Sequence, residues 1–115
     1  MAILDGLKTS VTDAFSAGAT AARGQGAALS ADFENLVKPT LDDIASQCAA
    51  ISEDLVAGNI EADQARDDLK TQFDRIQPLI LAEAELALLA VQVIIDAVVK
   101  ALTSGVNAAT GIALI

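Results

Sequence analysis

The chain has no histidine, tryptophan or tyrosine, and its 115 residues include one cysteine, two prolines and three phenylalanines. Each absence removes a class of chemistry. Without histidine there is no Ser-His-Asp or Cys-His catalysis, no Glu-x-x-His di-iron pattern and no ordinary Cys/His zinc site. A lone Cys48 excludes an internal disulfide and does not imply an oxidising compartment. No Gly-x-x-x-x-Gly-Lys-Ser/Thr loop occurs; GATAARGQG follows no strand pattern and has no lysine where a phosphate would need one. The acid pairs Asp42-Asp43, Glu53-Asp54 and Asp67-Asp68 are adjacent in sequence, so on a helix they point about 100° apart and suit solvent better than a shared metal. EDLVAGNIEAD does not place its acids at the calcium-loop positions. No cofactor, metal or catalytic residue is expected.

What remains is aliphatic and acidic. Hydrophobic residues make up 53% of the chain, alanine is the commonest, and the formal charge is −9. Strong helix formers dominate, so the expected class is all-α. Between Asp32 and Asp74 there are eleven acids against Lys38, Arg66 and Lys70, and no charged side chain follows Lys100. That balance excludes nucleic acid, whose phosphates need clustered Lys and Arg, and an electrostatic dock on anionic lipid. MAILDGLKTS lacks a basic stretch followed by an apolar one, so cytoplasmic synthesis without a secretory signal is expected.

Apolar spacing of three and four divides the chain. Leu4, Leu7, Val11, Phe15, Gly18, Ala22, Leu29, Phe33 and Leu36 give a first helix over 1–37, with a possible break in its glycine-rich middle. Along it Ala14, Gly18, Ala22 and Gly26 form a small-residue ladder that admits a close neighbour. Pro39 separates this from a second helix, 41–57, whose stripe is Leu41, Ile44, Cys48, Ile51 and Leu55 and which Gly58-Asn59 closes. Cys48 on that stripe reads as a small buried hydrophobe. A third, long helix spans 60–104, kinked by Pro78 and stopped by Gly105, with an apolar tail over 105–115. Together these give two amphipathic helices plus one long apolar helix, packed as a helical bundle within a homo-oligomer.

The stretch LILAEAELALLAVQVIIDAVVKAL, 79–102, decides the functional expectation. Its longest uncharged run is 86–95, whereas a membrane span needs about 20 residues. Charged residues interrupt it and the aromatic belt is missing, so a membrane partner is not favoured. The apolar arc is nevertheless too wide for helices one and two to cover. Leu88, Val91, Ile94, Ile95, Val98, Leu102, Ile112, Leu114 and Ile115 are therefore expected to form an interface between copies. Glu83 interrupts the apolar seam and is expected to be a buried polar position that sets register, with Arg23 or Lys38 as its partner.

The expected function is a non-catalytic structural or assembly subunit, with a virion or other large particle as its setting and another structural protein as a further partner. The alternatives are a membrane-active helical protein and an acidic adaptor that captures a basic protein. Small helical-hairpin proteins of the WXG type share this length, helicity and acidity, but the Trp-x-Gly turn that marks them is absent.

Overall fold

The first helix, α1, runs from Ala2 to Gly24 and is held by its apolar stripe, since Gly6, Gly18 and the run 9–13 are weak helix formers. Its apolar stripe turns Leu7, Val11, Phe15, Gly18 and Ala22 inward, while Thr9, Asp13, Ser16 and Thr20 face solvent. The computed structural model describes residues 2–24, 32–83, 88–112 and 114–115, and the side chains of these except at 2 and 81–91. The described chain is mostly helical and folds as a helical bundle: α2 (Phe33–Val56), α3 (Ala62–Phe73), α4 (Ile76–Glu83) and α5 (Leu88–Thr110) follow α1.

The first expected helix is thus two. Phe15 and Phe33 share one stripe in the sequence pattern, yet they sit on facing helices with ring centroids 5.6 Å apart. Arg23 meets Glu34 at 2.8 Å, so α2 returns antiparallel to α1. The expected boundary at Pro39 is absent, because α2 runs straight through it. Proline lacks the N–H that would bond the Asn35 carbonyl. Pro39 and Asn35 both face solvent, where water can serve that carbonyl, while Phe33, Val37, Leu41 and Ile44 bury a continuous stripe on the other side. Packing of that stripe outweighs the local loss.

At the other end of α2 the expected stop is in place. Gly58 has φ +80, its N–H bonds the Leu55 carbonyl at 3.1 Å, and the Asn59 N–H bonds the Asp54 carbonyl at 2.8 Å. Those bonds satisfy the last carbonyls of the helix through a left-handed glycine. The chain then reverses into α3, and Arg75 reaches back to Asp43 at 3.0 Å.

The long third helix is not one rod. It breaks at Asp74–Arg75, between α3 and α4. Pro78 supplies the reason: it has no N–H for the Asp74 carbonyl, and it sits in the first turn of α4, where a missing donor costs least. A second change of direction separates α4 from α5. Ile76 and Pro78 share a cavity wall with Ile95 and Val99, and Arg66 bonds the Leu114 carbonyl, so α5 runs antiparallel to α3 and α4. A rod of 45 residues would span about 65 Å at 1.5 Å per residue. The fold instead measures 45 × 23 × 20 Å.

The most extensive helix contact among the described residues is that of α1 with α5. A Cβ built on Gly18 would lie 3.0 Å from the Ile94 Cα and 3.4 Å from the Ala97 Cβ, so the glycine lets the two backbones nearly touch. Gly105 is not the expected helix stop. It lies inside α5, where Leu7 occupies the space a Cβ would need. The stop is Gly111, at φ +74, whose N–H bonds the Asn107 carbonyl at 3.0 Å. Among the described residues one polar side chain, Ser52, is fully buried, and its hydroxyl donates to the Cys48 carbonyl at 2.8 Å.

Candidate functional site

The expected interface residues whose side chains are described divide into two groups. Ile94, Ile95, Val98, Leu102 and Leu114 are buried in the core of a single chain, with no more than 5% of any of them exposed. This corrects the expectation that α1 and α2 could not cover them. The bundle folds back on itself, so α1, α2 and α4 all pack on α5. Ile112 and Ile115 remain open, at 49% and 39% exposed. The side chains of Leu88 and Val91 lie outside the described residues, as does Gly26.

In the small-residue ladder, Gly18 and Ala22 are buried and Ala14 is half-buried. Glu83 closes α4 and its side chain lies outside the described residues. Of its expected partners, Arg23 pairs with Glu34, and Lys38 shares a shallow surface cavity with Lys8, Asp13 and Asp42. Among the acids, Asp63 accepts from Arg66 at 2.7 Å and Asp43 from Arg75 at 3.0 Å. No group of three metal-binding side chains occurs among the described residues. Cys48 is fully buried on α2, and burial pushes its thiol up from 9.0 to about 12, with Arg75 acting in the opposite direction. A thiol held in its neutral form is a poor nucleophile.

The most specific polar construction belongs to the segment after α5. Gly111 turns the chain, and Leu114 returns into the core at 2% exposure. Three contacts from one side chain hold it there. The Asn107 Oδ1 accepts from the Leu114 N–H at 2.9 Å and from the Ile115 N–H at 3.1 Å, and its Nδ2 donates to the Ile115 carbonyl at 3.1 Å. From the opposite wall, the Arg66 Nε donates to the Leu114 carbonyl at 2.9 Å. Sequence reasoning marked Leu114 and Ile115 as apolar and missed Asn107 and Arg66. The only available signal was the pairing of an asparagine with a glycine four residues on.

This segment occupies a groove because α3 packs on α2 rather than on α5. A cavity of about 430 Å³ remains beside it, lined by Arg66, Leu69, Lys70, Phe73, Leu114 and Ile115. A second, of about 570 Å³, continues the line along Phe73, Ile76, Pro78, Ile95 and Val99. The two share Phe73 and Asp74, so they form one interrupted, largely apolar trough between α3–α4 and α5. Such a trough can hold extended chain by its main-chain groups and an aliphatic side chain.

The exposed positions of α5 between 92 and 110 are Asp96, Lys100, Ser104 and Ala108, so its outward face is largely polar. Residues Gln92–Thr110 are long and apolar enough to cross a membrane by length and composition, and 28% of that window is buried in the bundle. This window begins later in the chain than the stretch 79–102 and contains Asp96 and Lys100. Compared with known proteins, the chain matches no family model, no curated sequence and no solved structure.

Proposed function

We propose that the chain is a non-catalytic structural subunit that associates with copies of itself, as a component of a virion or other large particle. The observation that carries this reading is the segment after α5. Its Leu114 is locked into the core while Ile112 and Ile115 on either side stand in solvent. A segment held by four specific hydrogen bonds yet presenting aliphatic side chains outward is suited to protein contact. Half-buried Val93, Val99 and Ala101 on α5 add apolar surface. The lack of histidine and the neutral, buried Cys48 support the non-catalytic part.

A second reading, in which the bundle opens and α5 enters lipid, rests on the apolar window Gln92–Thr110. Sedimentation in detergent-free buffer, with and without lipid vesicles, separates the two. A discrete multimer that ignores vesicles supports assembly. A monomer that pellets with vesicles and makes them leak replaces it with the membrane reading.

A further inference from the structure

Resting on the assembly reading, we propose that the groove between α3 and α5 is a receptor for residues 111–115 of a second copy of this chain. Copies then associate by exchanging this segment. The occupant is identified by what already sits there. The chain's own Leu114 fills the groove, with its carbonyl bonded to Arg66 and its N–H to Asn107. A second copy would present the same atoms to the same partners, so each contact broken in one chain is remade between two.

The connection favours exchange. Thr110 ends α5, and one residue, Gly111 at φ +74, redirects the chain into the groove. Glycine adopts positive and negative φ with similar ease, so rotation there swings the segment outward without unwinding α5. Only Leu114 has to leave the core, since Ile112 and Ile115 are already exposed. The trough also has room: the cavity beside Leu114 measures about 430 Å³ and the next one about 570 Å³.

Disulfide trapping tests this directly. Lys70 and Ile115 line the same cavity, so a Lys70→Cys, Ile115→Cys double variant places a thiol on the groove and one on the segment. Cys48 does not compete, because its buried thiol stays protonated well above the pH of mild oxidation. After oxidation across a range of protein concentrations, denaturing gels without reductant are read for bonds within and between chains. Exchange gives linked dimers and larger species whose share rises with concentration, and reductant removes them. Internally linked monomers alone, at concentrations where the wild type is multimeric, overturn the exchange and leave the assembly reading standing. A wild type that is monomeric at every concentration overturns both.

Discussion

The Nε of Arg66, on α3, donates to the carbonyl of Leu114 at 2.9 Å, across 48 positions of sequence. Together with Asn107 it fixes the segment after α5 against the bundle. Replacing Asn107 with alanine removes three hydrogen bonds to this segment. Hydrogen exchange at the Ile115 amide should then accelerate toward the rate of unstructured chain, while the Leu114 amide keeps its bond to the Ile112 carbonyl and amides in the middle of α5 keep their protection. Equal protection in the variant would show that Asn107 does not hold the segment.

Two glycines in helices should respond differently to alanine. Alanine gains about 1 kcal/mol of helix propensity over glycine. At Gly18 the new Cβ meets the backbone of Ile94 at 3.0 Å, and relief requires α1 and α5 to separate. Overpacking of that kind costs about 1–3 kcal/mol, so Gly18→Ala should lower stability by about 1 kcal/mol net. At Gly105 the neighbour is the end of the Leu7 side chain, which can rotate, so Gly105→Ala should lose less. Urea unfolding midpoints of the two variants give the comparison.

Ile94 is fully buried at the α1–α5 contact, where the sequence alone placed it on an outer interface. Ile94→Asp should therefore unfold the single chain. An unpaired charge in such a site costs several kcal/mol, comparable with the whole stability of a small domain. Loss of far-ultraviolet helical signal checks this. A folded Ile94→Asp monomer would mean that the residue faces a second copy after all.

Stability above neutral pH should carry the signature of Cys48. Its thiol loses its proton near 9.0 in the unfolded chain and near 12 when folded. Between those values the folded state holds more protons than the unfolded one, so raising the pH favours unfolding. The difference in stability between wild type and Cys48→Ala should be constant below pH 9. From there it should move against wild type by about 1.4 kcal/mol per pH unit. The same burial predicts slow modification by thiol reagents at pH 8 until denaturant is added.

Much of this fold is legible in the sequence. The apolar stripes that define α1 and α2, the close-packing role of Gly18 and the cap at Gly58-Asn59 all follow from spacing and glycine chemistry. The direction of the chain does not. α5 runs antiparallel to α3 and α4, yet the stretch 79–102 contains no glycine, proline or asparagine to signal it. Periodicity reads straight through such a stretch, because it reports which face is apolar and not where the axis turns. Pro39 misleads in the opposite sense: local chemistry argues for a boundary, and a buried stripe on the far side of the helix overrides it. Gly105 and Gly111 look alike in sequence. One makes room for Leu7 and the other ends the helix, a distinction only tertiary contact decides. Asn107 and Arg66 were hidden for a related reason, since their partner is main chain that arrives from a distance.

Self-association through the segment after α5 is tested most directly by absolute mass. Light scattering on a size-exclusion column, in detergent-free buffer, would compare wild type with an Ile112→Asp, Ile115→Asp double variant. Both side chains are exposed in the single chain, so the substitutions leave its core intact. Assembly through this surface predicts a discrete multimer for wild type and a folded monomer for the variant. A wild type that elutes as a monomer, or a variant that keeps the multimeric mass, would contradict it.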